Sequence, residues 1–258
     1  MPSREGTLKI LVAVKQVPDP NAIRFDSSGA FAASTPRVVN EYDGYALEEA
    51  IKTKEAGQAD EVVVLCVGTA NARDAVQRGL AMGADRGILV QASESDLTSR
   101  TVASIIAAEA REGSYDLIFV GQESSDGGTG NTGPQLAALL DVPLVSNVVQ
   151  MEIDGASLTL QREVEDGRHI VEVTPPAVIC ALTGLNEPRS PSLKGIMAAR
   201  KKPIEEKSIG GYETPESQTE WGRLYSEERT VQATIIQGDD PAAAAKQVVE
   251  LLREKKLI

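Results

Sequence analysis

Aromatic side chains make up only 3% of this 258-residue chain, and histidine occurs once. A core with so few rings must be filled by Val, Ile, Leu and Ala, which suits parallel strands covered by helices on both faces. The single histidine, His169, leaves a metal cluster or Ser-His-Asp machinery little to work with. It follows a turn at Asp166-Gly167, which makes it a surface strand residue. Cys66 and Cys180 are the only cysteines. Each sits in an apolar run, Val-Val-Leu-Cys-Val and Ala-Val-Ile-Cys-Ala, the setting of a buried, reduced thiol. Basic residues are outnumbered, 26 against 38 acidic, giving a net charge of −12 and arguing against a nucleic-acid partner. No signal peptide is visible, and no apolar run reaches the length of about 18 residues that spans a bilayer. A cytoplasmic protein that is not membrane-embedded is therefore expected (in a eukaryote, the mitochondrial matrix, although no transit peptide is seen).

Hydrophobic residues reach 41%, enough for a substantial core. Short β-branched runs at 8–14, 61–67, 87–90 and 115–120 alternate with helical patterns at 42–55, 70–82, 97–112 and 134–140. The first helix carries Ala46, Leu47, Ala50 and Ile51 on one face, with Asp43 as a cap or first-turn acid. Asp96 or Thr98 opens the third helix. This alternation implies right-handed crossovers and a doubly wound, mostly parallel α/β sheet. Residues 19–36 form an extended or hairpin excursion. After Pro143, β-rich runs at 145–153, 158–164, 169–173 and 177–182 predict a mixed or antiparallel extension of the sheet. Periodicity then fades. Residues 1–202 are expected to form the α/β domain and 203–258 an extended arm. The arm carries Trp221 and ends in an amphipathic helix over 241–255, which opens on Pro241 and bears a Val248, Leu251 and Leu252 stripe. Such a helix docks on another subunit or packs back on its own domain.

The most informative stretch is 119–134, where an apolar strand runs into Gln122-Glu-Ser-Ser-Asp-Gly-Gly-Thr-Gly-Asn-Thr-Gly133 and then a helix. Glycines let backbone N–H groups approach a ligand, and the positive end of a helix follows. That chemistry suits phosphate at the carboxyl end of a strand. Neither a Walker pattern nor a dinucleotide fingerprint is present. No reaction centre can be assigned. The residues alone leave open a structural turn, a nucleotide-sensing module or an ATP-using enzyme.

Six segments in order carry a family resemblance. They are Leu11-Val-Ala-Val-Lys15, Ala50-Ile-Lys-Thr-Lys-Glu55, Gly79-Leu-Ala-Met-Gly-Ala-Asp-Arg-Gly87, Asp126-Gly-Gly-Thr-Gly-Asn-Thr-Gly133, Leu185-Asn-Glu-Pro-Arg189 and Leu193-Lys-Gly-Ile-Met-Ala-Ala-Arg-Lys-Lys-Pro203. From residue 8 to 203 the chain resembles the β (small) subunit of electron-transfer flavoproteins. The resemblance implies an adenine-nucleotide α-hydrolase-like fold and a heterodimer with an α subunit that holds most of an FAD. It implies electron carriage from flavin dehydrogenases to a quinone oxidoreductase or similar acceptor, with no catalytic residue and no metal in this chain.

Transferred by position, the bound nucleotide would contact Ala13, Asn40, Glu41, Tyr42, Asp43, Val67, Gln122, Asp126, Gly127, Gly128, Thr129, Gly130, Asn131, Thr132 and Gly133. In ordinary members it is AMP. This chain has Asp126-Gly127-Gly128 and Asn40-Glu41-Tyr42-Asp43 where many relatives carry an acidic run and Asn-Pro-Phe-Cys. Both variants resemble the electron-bifurcating branch, some of whose β subunits hold a second FAD instead. Leu193 matches the family's partner-recognition loop at 185–203, with Ile196, Met197, Arg200, Lys201 and Lys202 around it. The residues alone equally allow a helical turn with Leu193, Ile196 and Met197 packed inside. Glu163 matches a glutamate near the flavin and the α-subunit interface, and an ordinary strand-surface glutamate is its competitor.

Overall fold

Strands with no polar face form the middle of a nine-stranded sheet. In the computed structural model, which describes residues 8–29, 31–155, 157–216, 219, 233–236 and 240–258, β1 (Leu8–Val14) is followed by a short antiparallel pair, β2 (Gln16–Pro18) and β3 (Arg37–Val39). Next come α1 (Glu41–Glu55), β4 (Ala59–Gly68), α2 (Arg73–Met82), β5 (Arg86–Gln91), α3 (Ser99–Gly113), β6 (Leu117–Gly121) and α4 (Thr132–Leu140). The later elements are β7 (Leu144–Asp154), β8 (Ser157–Val164), β9 (Gly167–Val173), β10 (Ala177–Ala181), α5 (Leu193–Ala199), β11 (Ile204–Ser208) and α6 (Pro241–Glu254). The sheet order is β11-β5-β4-β1-β6-β10-β7-β8-β9.

Residues alternate between two cores, as the pleat requires. Ile10, Val12 and Val14 of β1 pack with Ala46, Leu47, Ala50 and Ile51 of α1 and with Val76 and Leu80 of α2. Leu11 and Ala13 face the opposite way, toward Ile105, Ile106 and Ala110 of α3 and Leu136 of α4. Each fully buried Ile or Leu contributes roughly 1.5–3 kcal/mol. The expected doubly wound α/β fold is what forms. Cys66 and Cys180 are both buried and reduced, with burial raising each thiol to about 12. Thr98, not Asp96, caps α3, its Oγ1 accepting from Thr101 N–H at 3.1 Å. Among the described residues, no helix is long and apolar enough to cross a membrane.

The extension is the mixed one of the two expected, and one strand, β11, departs from expectation. β10 is parallel to both neighbours, β6 and β7, and sits inside the sheet; only the β7–β8 and β8–β9 pairings beyond it are antiparallel. All five of its residues are buried, which fits an internal parallel strand. β11 was assigned to the arm, yet it pairs in parallel with β5 at the sheet edge. Its Ile-Glu-Glu-Lys-Ser sequence has no apolar period; charge holds it. Lys207 Nζ donates to both oxygens of buried Glu109 (2.8 and 3.0 Å), and the Tyr212 hydroxyl donates to the same carboxylate at 2.5 Å. Arg73 pairs with Glu206.

Residues 1–223 form one unit and 224–258 a second. Within the second, α6 carries the expected pattern, and Asp240 caps it by accepting from Ala242 N–H at 2.9 Å. Trp221 and most of 217–239 lie outside the described residues.

Glu109→Ala removes the acceptor shared by Lys207 and Tyr212 and should cost about 2–4 kcal/mol in denaturant unfolding, as expected for breaking a buried charge pair. A loss below about 0.5 kcal/mol, the level of an exposed pair, would show that β11 is held by other contacts.

Candidate functional site

The chain leaves β1 for β4 on one side and later places β6 on the other, so the crevice between the carboxyl ends of β1 and β6 is the switch point of the sheet. The strand ends there need hydrogen-bond partners that the ladder no longer supplies. Asp43, in the first turn of α1, provides them. Its Oδ2 accepts from Lys15 N–H at 2.7 Å and its Oδ1 from Gly121 N–H at 3.0 Å. Asp43 is thus the expected first-turn acid of α1 rather than its cap, and its carboxylate joins β1, β6 and α1. A Cβ at Gly121 would overlap Asp43 Oδ1, so only glycine fits that strand end. Burial raises Asp43 to about 7 against the pull of Lys15, Asn40 and Gly121.

Asn40 does for the loop what Asp43 does for the strands. It is buried, its Nδ2 donates to Glu123 O at 2.8 Å, and its Oδ1 accepts from Ser125 N–H at 3.1 Å. Tyr42 lies alongside, with its hydroxyl 3.5 Å from Glu123 Oε1. The structure thus brings Asn40, Tyr42 and Asp43 against the start of the 122–133 loop, while Glu41 is exposed. Gln122 turns the other way. Its N–H donates to Ala181 O (2.9 Å) and its Oε1 accepts from Asn147 N–H (2.8 Å), tying the loop to β10 and β7.

Asp126 does not hydrogen-bond loop amides, as expected of it, but pairs with Lys15 Nζ at 2.6 Å. The loop passes through positive φ at Gly128 and Gly130, and Thr129 Oγ1 lies 3.2 Å from Ser99 Oγ. Asn131 and Thr132 open α4, whose Gly133 sits against Cys180; a Cβ there would overlap the Sγ. Loop residues from 122 to 132 are half-buried or exposed, so their backbone and hydroxyl groups remain accessible. Ala13 and Val67 are buried, at the ends of β1 and β4 on the α3 side of the sheet. A cavity of about 330 Å³ also lies beside Asn40, lined by Glu41, Tyr45, Arg78, Met82, Pro188 and Arg189. It adjoins α1 and α2 rather than the glycine loop.

The residues expected to face a partner fall elsewhere. Arg189 is clamped by Glu48 (2.8 Å) and Glu55 (2.6 Å), and Asn186 donates to Glu49 (2.9 Å) and Tyr45 O (3.0 Å), which fixes the entry to α5 on α1. Lys202 fixes the exit. Its Nζ donates to Leu80 O (3.1 Å) and Ala84 O (2.5 Å) at the carboxyl end of α2, and burial lowers its pKa. Between these anchors, Leu193, Ile196 and Met197 are 77, 43 and 63% exposed, so they are not packed inside. Arg200 and Lys201 are exposed beside them. Glu163 lies on β8, three strands from β6, and pairs across the ladder with Arg168 at 3.7 Å. Sequence reasoning missed Lys15, Glu48 and Arg189 as individual site residues. The charged residue that closes the Leu11-Val-Ala-Val-Lys15 run was the available signal for the first.

An open α/β sheet with a glycine loop at its switch point is the architecture of many nucleotide-binding domains. The electron transfer flavoprotein domain model matches residues 28–209. The chain is 41% identical over 208 residues to an electron transfer flavoprotein subunit beta of Bradyrhizobium diazoefficiens, covering 80% of this chain and 83% of the relative. It is 36% identical over 230 residues to the same subunit of Bacillus subtilis, covering 86 and 88%. To a caffeyl-CoA reductase-Etf complex subunit CarD of Acetobacterium woodii it is 31% identical over 265 aligned positions, covering 97% of this chain and all of the relative. This chain belongs to the electron transfer flavoprotein β-subunit family, a family of flavin-dependent electron-transfer proteins.

Because burial holds Asp43 near 7, above the value of about 3.9 in an unfolded chain, its contribution to stability is full below about pH 4 and is lost as pH rises through 7. Wild type should therefore lose stability relative to Asp43→Asn between pH 4 and 7, read as the difference in Tm. A wild type that gains on the variant over this window would mean that the two N–H donors outweigh burial.

Proposed function

We propose that this chain is the β half of an α/β electron carrier, holding an adenine nucleotide on the 122–133 loop while its α partner holds the redox-active FAD. The observation that carries this reading is the loop itself, pinned by Asn40 and Asp43 at the switch point. Its residues fit a phosphate. Gly128 and Gly130 turn through positive φ, Thr129 and Thr132 add neutral donors, and the first turn of α4 contributes its N–H groups. FAD supplies the electron-transfer chemistry when bound, and the protein supplies position and electrostatics. The roles left to this chain are to grip the nucleotide, complete the partner's flavin pocket with the Glu163 face of its β8–β9 hairpin, and present α5 to electron donors.

AMP is the smallest nucleotide that meets this reading, and it is the one we favour. A second FAD, the arrangement of a bifurcating carrier, is the other reading; the small Gly127-Gly128 pair, where many relatives carry an acidic run, favours it. The donors would be flavin dehydrogenases that receive Leu193 in an apolar pocket, and the acceptor a quinone oxidoreductase or similar protein. An exposed leucine on a helix held at both ends has the character of an interface anchor.

Co-expression with an α subunit should give a yellow heterodimer. In it, Leu193→Glu should slow reduction by a flavin dehydrogenase at least tenfold, about 1.4 kcal/mol, with flavin content and Tm unchanged. Reduction of the variant at the wild-type rate, or a colourless chain that ignores its α partner, would contradict the reading.

A further inference from the structure

The proposed loop is acidic and contains no basic residue between Gln122 and Gly133. Glu123 and Asp126 lie within it, and Glu41 and Asp43 stand at the neighbouring start of α1. A phosphate dianion entering this setting meets charge of its own sign. Among the described residues, the one cation in hydrogen-bond contact with the loop comes from the other side of the switch point. Lys15 immediately follows β1, as the loop immediately follows β6, so the two flank the crevice in which open α/β sheets hold ligands.

The backbone aims this side chain. Lys15 N–H is bound by Asp43 Oδ2 at 2.7 Å, and Lys15 C=O accepts from Asn40 N–H at 2.9 Å. With its main chain fixed on both sides, the ammonium reaches across to Asp126 Oδ1 at 2.6 Å and Ser124 Oγ at 3.4 Å. The Lys15 side chain remains 43% exposed while Asp126 is 19% exposed, so the ammonium keeps an open side. An ammonium has three donors, and these two contacts leave capacity for an anion.

We propose that Lys15 is the phosphate-charge residue of this site: its ammonium, aimed by its fixed main chain and lying beside Asp126, admits the 5′-phosphate of the adenylate into an otherwise acidic loop. This rests on the nucleotide-binding reading above and adds to it the residue that distinguishes a nucleotide from a nucleoside. The competing role is a half-exposed ion pair that merely ties down the loop, of small energetic consequence.

The two roles separate on a pair of probes. Calorimetry on the nucleotide-stripped α/β heterodimer would compare AMP with adenosine for wild type, Lys15→Met, Lys15→Arg and Asp126→Asn. Lys15→Met should bind AMP at least tenfold more weakly and adenosine within twofold of wild type, with flavin content unchanged. Lys15→Arg should recover AMP binding to within about threefold. Asp126→Asn, which removes an acid and keeps the ammonium, should bind AMP at least as well as wild type. Equal AMP affinity in Lys15→Met overturns the proposal. So does a parallel loss of AMP and adenosine, or a loss of AMP in Asp126→Asn as large as in Lys15→Met; either would mark a structural clasp. If the nucleotide released is a second FAD, the same arms use FAD and riboflavin. A wild-type heterodimer that binds neither AMP nor a second FAD overturns the nucleotide reading itself, and this proposal with it, an outcome distinct from the others.

Discussion

A single buried carboxylate organises the functional end of this molecule. Where β1 and β6 run out of ladder partners, Asp43 reaches in from α1 and takes an N–H from each. Unmet backbone groups in a buried crevice are costly, and a side chain that satisfies two at once fixes two strand ends in one geometry. Gly121 is the corresponding concession of the chain, since any side chain there would displace the carboxylate. Asn40, three residues earlier, extends the same device into the loop by accepting from and donating to its backbone. The loop can thus be rich in glycine and still hold a defined path. Its path is fixed largely by neighbours, while its residues from 122 to 132 stay half-buried or exposed.

The exposed helix α5 is held by different physics. Three exposed apolar residues within one short helix would ordinarily be buried or lost to alternative packing. Here both ends are anchored by cations: Arg189 sits between two carboxylates of α1, and Lys202 satisfies carbonyls at the end of α2, where the helix dipole favours positive charge. Gly195 lies so close to the Ala81 carbonyl that no side chain fits at that point of the inner surface of α5, Ala199 is buried there, and Leu193, Ile196 and Met197 are held outward. The helix α1 therefore serves both regions, with Asp43 toward the loop and Glu48 and Glu55 toward Arg189.

The parallel core was readable because its strands are unbroken runs of Val, Ile and Leu, and the helices because their apolar residues recur on one face. The position of β10 was not, since which strands neighbour one another depends on contacts distant in sequence. β11 escaped because its fixing is electrostatic, through Glu109, and leaves no hydrophobic period. At the site, residue types were legible and their roles were not. Asp43 carried the signature of a helix acid and serves as a strut between strands. Lys202 belonged by sequence to a basic surface run, yet its ammonium is spent on α2. Leu193 fitted both a core turn and an exposed anchor, and only tertiary packing separates those.

The central claim is that this subunit grips an adenine nucleotide at the β1–β6 crevice while completing a flavin pocket for its partner. The most direct measurement is the identity and number of nucleotides released on denaturing the purified α/β complex. One FAD with one AMP, or two FAD, is the predicted result, with the adenylate beyond the first FAD lost when Gly121 is replaced by Val. One FAD and no further adenine nucleotide would contradict it.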